Sequence, residues 1–189
     1  MGKPKALKEW ASAVEALETG KQIFIMRKGG IAEETRDFQV ESNDFFLYPT
    51  YEHQRKELLK EAYRGVIDET LVGWSAEDTH IRLTAFARMI EDIEVSDQEQ
   101  LNKLLPFHIW TENFTDERLK WKRKNPLHIM LLRVYQLEQP LLIPIEQAYI
   151  GCKSWIELQA DFPSDASMVP VIGDEEFARQ AAEIKQALA

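Results

Sequence analysis

Leu7, Trp10, Ala11, Val14 and Leu17 recur at intervals of three and four, and Gly20 follows where a left-handed cap is wanted. The spacing predicts an amphipathic helix over residues 5–19. QIFIMRK (22–28) is a short apolar run with β-branched and aromatic content, and Gly29-Gly30 then offers a tight turn, because glycine reaches positive φ without steric cost. A second extended segment at 37–41 would complete a β-hairpin. FFLY (45–48) reads as a further strand stopped by Pro49. Thr50 is placed to cap a charged helix over 51–63, with Leu58, Leu59 and Ala62 turned inward.

Residues 80–95 begin in strict alternation, with Ile81, Leu83, Ala85 and Ala87 on one face and Arg82, Thr84 and Arg88 opposite. This period of two marks a half-buried strand, and the phase slips at Met89-Ile90, where a bulge is expected. Ser96 and Glu99 form a capping box opening a short helix to about Leu105, and Thr115 can cap another running to Lys122. LHIMLLRVYQL (127–137) is the most apolar stretch and predicts a central strand covered on both faces, with Pro140 and Pro144 breaking the chain beyond it. SWIEL (154–158) predicts a last short strand. After a loop at 161–173, Phe177, Ala181, Ile184 and Leu188 put one apolar stripe on a terminal helix.

Strands and helices interleave irregularly, so the pattern implies an α+β fold: a small mixed or antiparallel curved sheet, barrel-like or open, flanked by helices. Residues 1–160 are expected to form a single domain, with the loop and helix of 161–189 packed on it. The 189 residues suffice to bury a core without disulfides or structural metal. IMLL (129–132) and LLIPI (141–145) are far too short to span a bilayer, and the opening MGKPKALKEW lacks the apolar stretch of a secretion signal. With Cys152 as the only cysteine, a reducing, cytoplasmic setting is expected.

The formal charge of −9 would repel nucleic acid if it were spread evenly. It is not. Residues 91–100 hold Glu91, Asp92, Glu94, Asp97 and Glu99 with no base, whereas 118–124 hold Arg118, Lys120, Lys122, Arg123 and Lys124 with no acid. A cationic face on an anionic body is therefore allowed, although charge runs are commonly just the solvated side of a helix.

GxGxxG, P-loop, HExxH, GxSxG and CxxC signatures are all missing, so no cofactor is expected. GCKSW (151–155) is similar to the CGSCW context of papain-like proteases, but out of register: Ser154 stands at the nucleophile's place and Cys152 two places early. Cys152 is accordingly read as a packed side chain. His53, His80, His108 and His128 never fall three or four residues apart, so no metal site is indicated, and His128 reads as a hydrogen-bonded histidine. The only clean ExK, Glu183-Ile184-Lys185, lies inside the terminal helix rather than on the strand a restriction-type nuclease needs.

Four segments mix a base or imidazole with Tyr or Trp, or with a glycine turn: RKGGI (27–31), LYPTYEHQRK (47–56), HIWT (108–111) and RLKWKRK (118–124). That mixture suits phosphate neutralisation combined with ring stacking on a nucleobase. The candidate nucleic-acid-binding residues are Arg27, Lys28, Tyr51, His53, Arg55, Trp110, Trp121, Lys122 and Arg123. The competing reading is that Tyr48, Tyr51, Trp110 and Trp121 plug the ends of the sheet as amphipathic core.

ALKEWASAVEAL (6–17), RKGGI, LYPTYEHQ, HIWT, the 118–126 stretch, LLRVYQL (131–137) and GCKSW together resemble the domain-of-unknown-function 1802 family of bacteria, over roughly residues 5–160. The family carries no agreed catalytic residues. The resemblance implies only a context, restriction–modification or nucleic-acid handling. Three readings follow: a non-catalytic nucleic-acid-binding module contacting DNA or RNA; a divergent metal-dependent nuclease using His53 and Glu52 with Asp44 or Glu41; and a protein-interaction domain using the acidic 91–100 face. Whether the chain is an enzyme stays open among them.

Overall fold

The structure is a computed structural model, and it describes residues 3–28, 38–121, 125–160, 162 and 167–189. Among these, seven strands and five helices make an α+β fold. The strands are β1 (Lys5–Trp10), β2 (Phe24–Arg27), β3 (Asp44–Thr50), β4 (His80–Val95), β5 (Leu127–Pro144), β6 (Trp155–Glu157) and β7 (Met168–Pro170). The helices are α1 (Ala11–Glu18), α2 (Arg64–Thr70), α3 (Gln98–Lys103), α4 (Glu112–Lys120) and α5 (Asp174–Leu188). The sheet runs β2-β5-β4-β3-β1-β6, with β7 also on β5. The β1–β3 pair is parallel and every other pairing is antiparallel.

β4 and β5 form the spine. Their alternation and apolar content predict strands, and they pair over almost their whole lengths. Register slips between Leu83 and Ala85 and between Met89 and Glu91, the second at the expected bulge. Pro140 does not end β5 as its sequence position suggests. It lies in the stretch of β5 that the first slip leaves unpaired with β4, where a missing N–H costs no ladder bond.

A core cluster inside the curl of the sheet takes side chains from six strands: Leu7, Ile25, Phe45, Leu47, Ala85, Ala87, Met130, Leu132 and Trp155 among them. A second cluster, containing Phe24, Ile129 and Leu131 from the outer face, is covered by Leu101, Phe114, Ala181, Ile184 and Leu188 of α3, α4 and α5. Each such fully buried aliphatic or aromatic side chain contributes about 1.5–3 kcal/mol. No pairing joins β2 to β6 among the described residues, so the sheet curls without closing into a barrel.

Several local expectations are corrected. The helix read over 5–19 is β1 followed by α1: Ala6 and Leu7 are wholly buried between β3 and β6, and this packing overrides a helical pattern. The charged helix over 51–63 is a turn and two 3₁₀ segments, Lys56–Leu58 and Glu61–Tyr63, leading into α2. Asp97, not Ser96, caps α3, its carboxylate accepting from the Gln100 amide. Thr111 rather than Thr115 precedes α4. Residues 38–41 pair with no strand among the described residues, and the hairpin's Gly29-Gly30 turn lies outside them. The 161–173 loop contains β7. Cys152 is exposed, not packed.

Candidate phosphate-binding seam

The carboxyl ends of the parallel strands lie side by side, Glu9 beside Pro49 and Trp10 beside Thr50. At Trp10 the chain passes directly from β1 into α1. The Glu9 side chain is only 3% exposed, and it is held on two sides. One carboxylate oxygen accepts from the Trp10 amide at 2.8 Å, and the other faces the Arg27 guanidinium at 3.4 Å. The Thr50 hydroxyl donates to the Glu9 carbonyl at 3.0 Å, and Gln54 accepts from the Ser12 amide at 2.9 Å, which ties the turn after β3 to the start of α1.

Arg27 comes from the opposite margin of the sheet. β2 is one edge and β6 the other, yet the Arg27 guanidinium donates to the hydroxyl of Ser154, next to β6, at 2.5 Å. Its Cζ lies 5.8 Å from the centre of the Phe38 ring. A side chain thus spans the seam that backbone pairing leaves open. Arg118, in the last turn of α4, adds a second guanidinium beside this one, 4.9 Å from the Phe114 ring and still partly exposed. Among the described residues it has no carboxylate within 4 Å. Burial and then the charge of Arg27 draw its pKa below the ordinary value, against the opposing pull of Glu9 and Glu117. It stays a cation, since guanidinium does not deprotonate in proteins. Lys28 is buried too, its ammonium donating to the Leu119 carbonyl at the end of α4, and burial lowers its pKa.

Two guanidiniums, Arg27 and Arg118, thus meet one buried carboxylate, Glu9, at the seam, while Lys28 is tied to the end of α4. Two polar atoms there, Arg27 Nε and Ser12 Oγ, are buried without a hydrogen-bond partner among the described residues. Buried donors seek an acceptor, and an anion or water can supply it.

The other sequence candidates are distributed differently. Trp110 is wholly buried, stacked on Phe114 at 4.6 Å with His108 also against it, so it serves the core and has no face left for a base. Tyr51 is half-buried and stacks on Trp74 at 5.2 Å. His53 is exposed on a turn at φ 66°. Arg55 is exposed but engaged by Glu57 and Glu117 at 2.8 and 2.9 Å. Trp121 follows α4 and is 43% exposed as a residue. Lys122 and Arg123 lie outside the described residues.

The proposed nuclease carboxylates are otherwise occupied, Asp44 by Arg88 and Glu41 by Lys5, and no group of three or more metal-ligating side chains occurs among the described residues. On the acidic stretch, Glu91 pairs with Lys185 and Asp92 with His128.

Reading residues singly missed Glu9, Ser12, Gln54, Arg118 and Ser154. Their signal was the segments that carried the family resemblance, since ALKEWASAVEAL, RKGGI, LYPTYEHQ, the 118–126 stretch and GCKSW each supply a residue of the seam. The family model described as "Domain of unknown function (DUF1802)" matches residues 6–183. The chain belongs to the DUF1802 family. The match runs past the sequence segments into α5, whose Ala181 and Ile184 are part of the core.

No curated protein matches the chain. Among solved structures, ASCH from Zymomonas mobilis is similar at 15% identity and a TM-score of 0.44, covering 95% of this chain and 94% of that one. A serine-to-alanine mutant of the same protein is similar at 14% identity and a TM-score of 0.46, covering 95% of both chains. No described helix of this DUF1802 chain is long and apolar enough to cross a membrane.

Proposed function

We propose that this domain is a nucleic-acid-binding module without catalysis of its own, and that it takes a single strand by seating a phosphate at the seam. The observation that carries the reading is the imbalance at Glu9: two guanidiniums, Arg27 and Arg118, gather around one buried carboxylate on a chain of net charge −9. A charge-assisted bond from a guanidinium to phosphate is among the strongest polar contacts in proteins, and a site screened from water strengthens it further. Trp121, just beyond α4 and 43% exposed, is the ring assigned to stack a base. Lys122 and Arg123 follow it in sequence and are assigned to the phosphate backbone. Trp110 has no part in binding.

The test is fluorescence anisotropy with labelled single-stranded DNA and RNA across a salt series. Binding that weakens as salt rises is expected. Affinity no better than about 0.1 mM at ~50 mM salt, the level of non-specific attraction, would remove the reading.

A further inference from the structure

We infer that His128 is a proton-sensitive control on the seam: when its imidazole takes up a proton, Arg27 holds a phosphate more tightly, and strand binding strengthens as pH falls. This rests on the nucleic-acid reading above and adds a regulation to it. His128 on β5 is the direct cross-strand partner of Arg27 on β2, so the two side chains leave the same face of the sheet. Phe38 lies against both. Its ring centre is 5.8 Å from the Arg27 guanidinium carbon and 5.3 Å from the imidazole centre, which puts the two groups no more than about 11 Å apart.

The charges around His128 fix the sign of the effect. From β4, the Asp92 carboxylate meets the imidazole Nδ1 at 2.9 Å, and the exposed Glu94 stands directly across the ladder. From β2 comes Arg27, whose own carboxylate partner is Glu9 of β1. Phe38 brings no charge. Among the described residues these are the charged groups that face the imidazole. With His128 neutral, it and Asp92 together carry one negative charge beside Arg27; with His128 protonated they carry none. Removing a net negative charge at ~11 Å favours a bound anion by about two- to tenfold, between the dielectric limits of water and of a protein surface. The Asp92 hydrogen bond raises the His128 pKa above its ordinary value, so the change is centred above about pH 6.5. A phosphodiester does not titrate there. Of the other histidines, His108 is buried and kept neutral, and His53 and His80 are exposed.

The experiment titrates the native protein and His128→Gln with one labelled single-stranded oligonucleotide at ~50 mM salt, from about pH 6 to about pH 9, with thermal melts at both ends of the series to show that each protein is folded. The native protein is expected to lose about two- to tenfold in affinity across the series. The variant, fixed neutral, is expected to bind throughout at the weaker, alkaline level. His53→Gln and His80→Gln, which alter the two exposed histidines, should keep the native pH profile. Should His128→Gln not fold, Asp92→Asn serves instead: it keeps the imidazole, removes its carboxylate and is expected to move the midpoint to lower pH. A flat native profile, a profile that His128→Gln shares with the native protein, or an unmoved midpoint in Asp92→Asn would overturn the inference while leaving nucleic-acid binding intact. Absence of binding at every pH would overturn both.

Discussion

Arg27 on one edge strand donates to the hydroxyl of Ser154 beside the other edge strand at 2.5 Å, across 127 residues of sequence. Through this bond an open sheet acquires a polar seam. Glu9, at the end of β1, is the counter-charge that allows a guanidinium to sit there at 12% exposure. The proposed ligand therefore competes with a carboxylate the protein already holds.

Glu9→Gln should separate stability from binding. A buried guanidinium that loses its only carboxylate among the described residues is costly, and a decrease in stability of about 1–3 kcal/mol is expected by chemical denaturation. Binding of single-stranded oligonucleotide should become tighter, because the internal competitor is gone. Weaker binding in a folded Glu9→Gln variant would mean that Glu9 organises the site rather than opposing the ligand.

The two tryptophans should part company. Trp110→Ala empties a wholly buried position and should cost about 3–5 kcal/mol with no direct effect on ligand affinity once folded. Trp121→Ala should change stability by less than ~1 kcal/mol. It should weaken strand binding by the worth of one stacked base, about 1–3 kcal/mol. Paired thermal melts and binding titrations check both.

Two histidines should shape the pH dependence of stability in opposite senses. Asp92, hydrogen-bonded to His128 at 2.9 Å, raises the His128 pKa above its ordinary value. That pair's contribution is full below about pH 6.5 and is lost as pH rises through the folded-state pKa. Burial, with Lys60 beside it, lowers His108 to about 3. Its neutral form is the folded one, so stability falls as pH drops below about 6.5 and the unfolded chain takes up the proton. Denaturation series from pH 4 to 8 should show the alkaline loss vanish in Asp92→Asn while the acidic loss persists.

Strands with a clear period were legible from the sequence, and the site was legible only as segments. β4 declares itself by alternation and β5 by an unbroken apolar run, and α5 by its stripe. β1 did not, because Leu7, Trp10, Ala11, Val14 and Leu17 keep helical spacing through a point where pairing to β3 forces a strand. Spacing also cannot show that Trp110 and Trp121, both in aromatic-basic segments, fall on opposite sides of burial. Nor can it bring Arg27 to Ser154, since that contact depends on how far the sheet curls.

Cys152 should react in the folded protein. It is exposed, so one thiol per chain is expected to titrate with an aromatic disulfide reagent without denaturant. A thiol that reacts only after unfolding would place residues 151–155 differently from the arrangement that presents Ser154 to Arg27.

The most direct measurement is the salt dependence of single-strand binding by the native protein and by Arg118→Gln. With Arg118 engaging a phosphate, the native protein should bind well below 0.1 mM at about 50 mM salt, and the variant should bind more weakly with a log–log salt slope shallower by about 0.7. Identical affinities and slopes for the two proteins would contradict the assignment of the seam as the phosphate site.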